Sequence, residues 1–345
     1  MESSAELTAD KLLRVTALLL SHNFHARYGA RVAAAADREK VAAEFLVLPA
    51  DPAARLTDAE CARVETAFFS SDVFPDHSRQ FFSTVRKAPQ LKWLHVFNAG
   101  VDHPIYTEML ERGVRLTTSS GSASVAIAQT AIMGLLALAR GLPHWLAAQR
   151  RREWTPMRGE ALPRDLAGQT AVILGLGKIG TEIARLARAL GLTVIGVRRA
   201  PRKPDDPVDE LHPPAALAAL AARAHWLVIA CPLTPETRGL VDAALIARLP
   251  KSARVINIAR GEIVDEPALI AALRSGHLAG AYLDVFETEP LPPESPLWDL
   301  PNVIVTPHNA AAAAGGDKRV LEIFLDNLAR WHRGTPLVNE VASKN

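Results

Sequence analysis

The chain has 345 residues, and its 39 Lys and Arg residues nearly balance its 37 Asp and Glu residues. This length is enough for two domains, and the balanced charge gives no support for a face that binds nucleic acid or a membrane. Two cysteines, Cys61 and Cys231, are too few for a disulfide framework or a cysteine metal site, so we expect no metal. The amino terminus lacks the pattern of a signal peptide, and the longest apolar stretch, Val125–Ala139, is too short to span a membrane. We therefore expect a cytoplasmic protein.

Alternating strand and helix patterns in the first third of the chain predict a small βα-repeat domain, with helical spacing over Ser78–Lys87 and Pro104–Arg112. The predicted strands are Val15–Leu20, Glu44–Leu48, Thr66–Phe69, Trp93–Phe97 and Val114–Thr117. A nearly uncharged helical pattern follows at Val125–Arg140, and it predicts a buried helix at the interface of a homodimer. Residues 144–164 are rich in Arg, Trp and Pro and favour an irregular segment.

A second βα series begins at Thr170, and six strands with helical crossovers favour a doubly wound parallel sheet. The predicted strands are Ala171–Leu174, Val194–Val197, Trp226–Ala230, Val255–Ile258, Ala281–Val285 and Val303–Val305. The predicted helices are Ile179–Leu190, Pro214–Arg223, Asp242–Leu249 and Glu266–Arg274, the last with Asp265 as N-cap and Pro267 in its first turn. We expect the closing helix, Asp317–Arg330, to return to the first domain. The predicted domains are residues 1–118 with 313–345, and residues 119–312, on either side of a cleft.

Three of these strands lead into reactive side chains. Arg260, Glu289 and His308 each follow the end of a predicted strand. In an open α/β sheet, ligands bind in the crevice outside the carboxyl ends of the strands. A guanidinium, a carboxylate and an imidazole at one such edge predict a site that binds an anion and donates a proton.

A G-x-G-x-x-G string follows the first strand of the second series and opens a helix. Gly175 permits the tight turn, Gly177 lets the backbone approach a pyrophosphate, and Gly180 lets the helix pack closely on the strand. Lys178 and Ile179 complete the loop at the helix N-terminus, which attracts an anion. This context predicts a dinucleotide-binding loop.

The end of the second strand of this series selects the cofactor in dinucleotide folds. An acidic residue at that place binds the ribose 2′-hydroxyl of NAD, but here the strand ends in Arg198 and Arg199. Guanidiniums suit a 2′-phosphate, because they form charge-assisted bidentate hydrogen bonds with it. We therefore predict NADP(H) as the preferred cofactor, with NAD(H) as the alternative.

Several longer motifs resemble the D-isomer-specific 2-hydroxyacid dehydrogenases, and especially the glyoxylate/hydroxypyruvate reductases within that family. The matching stretches are Leu174–Gly180, Cys231–Gly239, Asn257–Gly261, Leu283–Pro290, Pro290–Trp298, Thr306–His308 and Phe97–Asp102. The resemblance covers most of the chain from residue 91 onward. It implies an α/β fold with a Rossmann-type doubly wound sheet and a smaller flavodoxin-like substrate domain. It also implies reduction of a small 2-oxo acid to the D-2-hydroxy acid.

The resemblance gives each candidate site residue a role. His308 is the expected proton donor, since imidazole titrates near neutral pH, and Glu289 would fix its tautomer and favour imidazolium. Arg260 would bind the substrate and polarise its carbonyl. Ala99, Gly100 and Val101 would supply amide donors to the substrate carboxylate. The implied cofactor contacts also include Cys231, Pro232, Thr237, Ile258, Ala259 and Asp284, the last accepting a bond from the nicotinamide carboxamide.

Alternatives remain open within and beyond the enzymes. Glu289 argues against the formate dehydrogenases, which typically pair the histidine with glutamine, whereas phosphite dehydrogenases keep the same trio. Some relatives act as dinucleotide-sensing co-repressors. The buried helix reads Ile127-Ala128-Gln129 where the family usually has a glutamate, which puts any family salt bridge there in doubt. The end of the chain at residue 345 argues against the longer, serine-regulated phosphoglycerate dehydrogenases.

Overall fold

The computed structural model describes residues 14–101 and 103–342, so Asp102 of the Gly100 motif and the acidic amino-terminal segment lie outside the described residues. The chain divides into two compact units. Unit 1 comprises Met1–Ser122 and Gly315–Asn345, and unit 2 comprises Ala123–Ala314.

Over the described residues, unit 1 is built on a five-stranded parallel sheet in the order β2-β1-β3-β4-β5, which is the flavodoxin order. Its strands are β1 (Arg14–Leu20), β2 (Val41–Val47), β3 (Thr66–Phe69), β4 (Trp93–Val96) and β5 (Arg115–Thr118). Its helices are α1 (His22–Arg38), α2 (Asp58–Arg63), α3 (Ser78–Arg86), α4 (Pro104–Glu111) and the closing α11 (Gly316–Arg333). The closing helix packs Phe324 against Phe68 and Trp93 of the sheet.

Unit 2 carries a seven-stranded parallel sheet in the order β12-β11-β10-β9-β6-β7-β8, counted over the described residues. Its strands are β6 (Thr170–Leu174), β7 (Thr193–Val197), β8 (Glu210–His212), β9 (Trp226–Ile229), β10 (Arg254–Asn257), β11 (Gly280–Leu283) and β12 (Val303–Val305). Its helices are α5 (Ser124–Ala139), α6 (Leu142–Arg151), α7 (Lys178–Ala189), α8 (Leu217–Ala221), α9 (Ala243–Arg248) and α10 (Glu266–Arg274). The chain order reverses between β6 and β9, which makes their carboxyl ends the switch point of a doubly wound sheet.

The predicted parallel architecture is confirmed, and its physical basis is visible in the strands. Strands β9 and β11 are buried along their whole length, as expected for strands covered by helices on both faces. Helix α10 begins where the sequence predicts: the Asp265 side chain accepts a hydrogen bond from the Ala268 amide at 3.0 Å, and Pro267 lies in the first turn.

The structure corrects several element predictions. Strand β8, Glu210–His212, makes the second sheet seven-stranded instead of six-stranded. Helix α6, Leu142–Arg151, extends into residues 144–164, which were predicted to be irregular. The helix predicted over Pro214–Arg223 is only α8, Leu217–Ala221, after a short 3₁₀ turn. Helices α1 and α2 were not predicted. Over the described residues, no single helix is long and apolar enough to cross a membrane; helices α5 and α6 pass that test only as a pair bent by 67°.

Candidate active site

Three neighbouring strands of unit 2 deliver the predicted reactive trio to one edge of the sheet. Strands β10, β11 and β12 are adjacent and parallel, so their carboxyl ends lie side by side. Arg260 follows β10, Glu289 follows β11 and His308 follows β12. The topology therefore brings the ends of all three strands to the same edge, as the strand pattern predicts.

His308 and Glu289 form a direct pair. The His308 Nδ1 and Glu289 Oε2 atoms are 2.6 Å apart, and Glu289 Oε1 accepts a hydrogen bond from the Phe286 amide at 3.0 Å. The bond to Glu289 raises the pKa of His308 above its ordinary value, against the opposing effects of burial and of Arg260. Burial alone would raise the pKa of Glu289, but the bonds from His308 and from the Phe286 amide lower it on balance. Both shifts favour a charged imidazolium–carboxylate pair near neutral pH.

Arg260 is placed by a clamped turn after β10. The buried Asn257 side chain accepts a bond from the Ala259 amide at 3.0 Å and donates one to the Arg260 carbonyl at 2.9 Å. The next residue, Gly261, lies against the chain leading to Glu289: a Cβ there would stand 1.8 Å from the Phe286 carbonyl carbon. Only glycine fits this approach, which keeps the Arg260 turn beside the Glu289 segment.

The Asp284 carboxylate organises the segment that carries His308. This carboxylate is only 2% exposed. Its Oδ1 accepts bonds from the Thr306 hydroxyl at 2.5 Å and the Asn309 amide at 2.9 Å, and its Oδ2 accepts from the Ala310 amide at 3.0 Å. Its observed partners thus lie in its own unit, and the predicted bond to a nicotinamide carboxamide stays a prediction.

The glycine loop has the geometry that its three glycines predict. Gly175 has φ +99°, and a Cβ there would meet the Cys231 backbone at 2.7 Å. A Cβ on Gly180 would stand 1.9 Å from the Gly175 carbonyl oxygen, so helix α7 packs closely against the loop. A Cβ on Gly177 would meet nothing within 4 Å. Gly177, Lys178 and the first turn of α7 therefore form an open cradle that fits a pyrophosphate.

The segment after β9 lies across the switch point from this loop. Cys231 is buried, and burial raises the pKa of its thiol to about 11, so it packs as a small apolar side chain. The Thr237 hydroxyl donates to the Pro232 carbonyl at 2.7 Å, which closes the turn between them. Ile258 is buried, and Ala259 is half-buried after β10. None of these residues carries a charge near neutral pH. Their predicted role as cofactor contacts is therefore to shape the surface of the binding site.

Arg198 and Arg199 differ sharply in the exposure of their side chains. The Arg198 guanidinium pairs with Asp206 at 2.5 and 2.8 Å and also donates to the Ala200 carbonyl at 3.1 Å, so its side chain is only 11% exposed. The bond from Arg198 lowers the pKa of Asp206 and keeps that carboxylate charged. Arg199, next to it, is exposed. The predicted pair of phosphate-binding guanidiniums stays a prediction; of the two, Arg198 already has a carboxylate partner.

The predicted substrate loop belongs to unit 1. Ala99 is exposed, and Gly100 and Val101 are half-buried. The loop follows β4 and is tied at its start, where the Ser119 amide donates to the Asn98 carbonyl at 3.3 Å. The Asn98 side-chain amide donates to the Gly100 carbonyl. These bonds give the loop a defined shape, which the predicted role in carboxylate binding requires.

A buried histidine lies on β4, immediately before this loop. His95 is completely buried, with Nδ1 2.7 Å from Thr117 Oγ1 and Nε2 3.0 Å from Ser119 Oγ. The Trp93 indole donates to the same Thr117 hydroxyl at 2.8 Å. Burial lowers the pKa of His95 to about 3, so its ring is neutral. His95 is therefore a packed core side chain of unit 1.

Sequence reasoning missed the residues that hold the trio in place. Asn257 and Gly261 do so by clamping and packing the turn after β10. Thr306 does so through its bond to Asp284, and Tyr282 through its bond to Thr306. Asn257, Gly261 and Thr306 lie inside motifs that the sequence contains, but only the three-dimensional contacts reveal their partners.

Comparison with known proteins gives a consistent result. Residues 132–310 match the family model described as "D-isomer specific 2-hydroxyacid dehydrogenase, NAD binding domain". The chain is 33% identical over 263 residues to D-3-phosphoglycerate dehydrogenase of Methanocaldococcus jannaschii; the match covers 76% of this chain but only 49%, about half, of that relative's length.

Two solved structures match nearly the whole chain. The first is a D-isomer specific 2-hydroxyacid dehydrogenase from Xanthobacter autotrophicus in complex with NADPH and MES, with 33% identity, a TM-score of 0.77, and coverage of 95% of this chain and 98% of that one. The second is an NADPH-dependent glyoxylate/hydroxypyruvate reductase from Sinorhizobium meliloti in complex with NADP and sulfate. It has 31% identity and a TM-score of 0.75, with 96% of this chain and 99% of that one covered.

Proposed function

The chain belongs to the D-isomer-specific 2-hydroxyacid dehydrogenases, a family of NAD(P)-dependent oxidoreductases, and we propose that it reduces glyoxylate or hydroxypyruvate to the D-2-hydroxy acid with NADPH. The observation that carries this proposal is the His308–Glu289 pair at a sheet edge that also carries Arg260. Such an edge holds a proton donor beside a cation, which is what reduction of an anionic carbonyl compound needs.

Each charged residue has one task in this reaction. His308, charged through its bond to Glu289, donates its proton to the carbonyl oxygen as that oxygen becomes an alcohol. Glu289 fixes the ring through Nδ1, which leaves Nε2 to carry the transferred proton. Arg260 holds the carboxylate or the carbonyl oxygen and stabilises the negative charge that develops there. The amides of Ala99, Gly100 and Val101 are proposed as further donors to the carboxylate.

The residues of unit 2 fit a dinucleotide. The open position at Gly177 leaves room for a pyrophosphate against the N-terminus of α7, and Cys231, Pro232, Thr237, Ile258 and Ala259 would shape the rest of the site. When bound, the reduced nicotinamide supplies the hydride to the carbonyl carbon. The protein contributes binding, orientation and the proton.

Cofactor choice rests on the loop after β7. Arg199 is exposed where the second strand of the doubly wound sheet ends, and no acidic residue stands at that strand end in the sequence. Arg198 shapes the loop through Asp206, so we assign the contact with the 2′-phosphate to Arg199. The complexes of the X. autotrophicus and S. meliloti proteins with NADPH and NADP support this choice.

Arg199→Ala provides the test of this assignment. Loss of one charge-assisted contact, about 1.5–3 kcal/mol, should raise KM for NADPH by roughly 10- to 100-fold and leave KM for NADH unchanged. Steady-state kinetics with both cofactors measure it, and Arg202→Ala is the matched control, because the Arg202 guanidinium bonds the Val208 and Asp209 carbonyls of its own loop. Equal effects on NADPH and NADH would contradict the assignment.

The substrate assignment is tested with a panel of 2-oxo acids assayed with NADPH and with NADH. We expect glyoxylate and hydroxypyruvate to give the highest kcat/KM, and NADPH to exceed NADH. A higher kcat/KM for 3-phosphohydroxypyruvate would move the assignment to the phosphoglycerate class. Oxidation of phosphite with no turnover of any 2-oxo acid would favour the phosphite alternative. Tight cofactor binding with no turnover at all would favour a dinucleotide-sensing interaction protein.

We also propose a homodimer formed through helix α5 and the segment that follows it, in a cytoplasmic protein. Apolar side chains between 40% and 97% exposed are concentrated in this part of unit 2: Val125, Met133, Leu142, Trp145, Leu146, Trp154 and Leu162. An exposed apolar set of this size is typical of an interface. Light scattering of the purified protein measures the mass in solution, and a monomer would contradict the proposal.

A further inference from the structure

A chain of hydroxyl groups links strand β11 to the segment that follows β12 and carries His308. We propose that Tyr282 is a positioning residue for His308, acting through Thr306 and Asp284. This inference rests on the proposed function, in which His308 donates the proton. It concerns residues of unit 2 alone.

The direction of the hydrogen bonds in this chain follows from the chemistry of its members. A carboxylate only accepts hydrogen bonds, so the Thr306 hydroxyl uses its single hydrogen to donate to Asp284 Oδ1, at 2.5 Å. The Tyr282 hydroxyl lies 2.7 Å from Thr306 Oγ1 and must therefore be the donor in that contact. The chain runs in one direction, from tyrosine to threonine to carboxylate, and each member strengthens the next by polarising it.

The end of this chain fixes the backbone around His308. The Asp284 carbonyl accepts a bond from the His308 amide at 2.8 Å, and the Asp284 carboxylate accepts from the amides of Asn309 and Ala310. His308 itself has φ +50°, in the left-handed region that only a few per cent of residues other than glycine adopt. Such a conformation persists only where the surrounding bonds over-determine it. Asp284 supplies those bonds, and Thr306 and Tyr282 hold Asp284.

The Tyr282 ring has no freedom to leave this chain. Its side chain is completely buried, and helix α5 presses against its face. A Cβ on Gly134 would stand 2.3 Å from Tyr282 Cγ and 2.7 Å from both Cδ atoms. The glycine in α5 therefore makes room for the tyrosine on β11, and together they place the hydroxyl on Thr306.

Loss of the Tyr282 hydroxyl should act on His308 without changing the fold. Tyr282→Phe keeps the ring in its place and removes only the donor to Thr306. The segment then loosens, and His308 is held less well against Glu289. The charged groups that face His308 are Glu289, Arg260 and Asp284, and the bond to Glu289 has the largest effect on its pKa.

The experiment compares Tyr282→Phe with Tyr28→Phe in the full-length protein. The control makes the same chemical change in α1 of unit 1, where the Tyr28 ring lies beside Phe24 and beneath Arg27. For Tyr282→Phe we expect kcat to fall about tenfold, with KM for the 2-oxo acid and Kd for NADPH within about twofold of the wild type. We also expect the alkaline limb of the pH profile to move to lower pH. For Tyr28→Phe we expect no change in any of these values.

Two further measurements keep the inference falsifiable. NMR titration of the His308 ring needs no substrate, and its pKa should be lower in Tyr282→Phe than in the wild type. Gly134→Ala pushes the ring instead of removing the hydroxyl, and its kinetic defect should not add to that of Tyr282→Phe. An unchanged kcat and an unchanged His308 pKa in Tyr282→Phe would overturn the inference. A fall in kcat and melting temperature with an unmoved His308 pKa would also overturn it, since that pattern indicates a structural role. Failure of the wild type to reduce any 2-oxo acid would reject the proposed function, while the NMR titration would still decide the role of Tyr282.

Discussion

His308 and His95 have the same side chain in opposite environments, one in each unit. His308 is 47% exposed and bonded to a carboxylate, which raises its pKa. His95 is completely buried between two hydroxyls, and burial lowers its pKa to about 3. The comparison shows that a charged partner at a strand end makes a histidine fit to donate a proton, whereas neutral partners in a core make it a fixed, uncharged hydrogen-bonding group.

The largest effect is expected when His308 is replaced. His308→Asn removes the proposed proton donor but keeps a residue type that tolerates the left-handed backbone at this position. We expect kcat for the 2-oxo acid to fall by roughly 10²–10⁴-fold, the usual contribution of a general acid, with NADPH binding retained. Steady-state kinetics and fluorescence titration of NADPH measure both, and near-normal turnover would refute the role of His308.

The next largest effect is expected at Glu289, the charged partner that His308 has and His95 lacks. Glu289→Gln removes the charge that raises the pKa of His308, so the imidazolium form is lost at a lower pH. Because reduction needs the protonated ring, the variant should lose more activity at pH 8 than at pH 6, by about tenfold for each unit by which the pKa falls. The pH profile of kcat/KM measures this shift.

A matched control for Glu289→Gln exists in the same unit. His212 and Glu210 also form an imidazole–carboxylate pair, at 2.9 Å, and both side chains are about one-third exposed. Arg223 first, and then His212, lower the pKa of Glu210 to about 2. His212→Gln should leave the pH profile unmoved and change the free energy of unfolding by less than about 1 kcal/mol. A pH limb that moves equally in both variants would mean that the effect is one of general charge.

The smallest effect is expected on stability and not on catalysis. The pKa of His95 in the folded protein is about 3, below its unfolded value of 6.5, so the unfolded chain binds the additional proton between these two pH values. The stability associated with the neutral ring is therefore present above pH 6.5 and is lost as the pH falls toward 3, by about 1.4 kcal/mol for each pH unit.

His95→Leu tests this by removing the titrating group. At pH 7 the variant should lose about 1–3 kcal/mol, because the Ser119 and Thr117 hydroxyls lose a partner. Its free energy of unfolding should then fall less steeply than that of the wild type between pH 7 and pH 5. Urea denaturation at the two pH values gives the comparison. Parallel pH dependences in the two proteins would show that His95 is already charged or accessible.

The sequence predicted the order of the strands well, because buried parallel strands appear in it as short apolar runs. Strand β8 was missed because Glu210–His212 is a short, polar edge strand with no such run. Helix α6 was missed because its Arg, Trp and Pro content looks irregular, yet Pro143 lies in the first turn, where its missing amide is no loss. Helices α1 and α2 were also missed, and most of the other differences lie at element boundaries.

Part of the candidate site could likewise be predicted from the sequence, and part could not. The trio could be predicted because residues at strand ends share an edge whatever the details of packing. The carboxylate partner of Arg198 and the tyrosine partner of Thr306 could not, since Asp206 lies in an irregular loop and Tyr282 faces Thr306 from a neighbouring strand. Spacing along the chain does not encode those distances. The Arg198–Asp206 distance depends on how the loop folds. The Tyr282–Thr306 distance depends on how β11 pairs with β12 and on which side chains then share a face of the sheet.

The contact of Gly261 with the backbone at Phe286 has a consequence for altering this protein. A single hydrogen atom fills the space between two loops there, so the residue that follows Arg260 has no freedom to vary. Libraries that seek new substrates should therefore leave position 261 fixed. The turn that carries Arg260 is thus closed to variation at its next residue, whatever substrate a library is selected for.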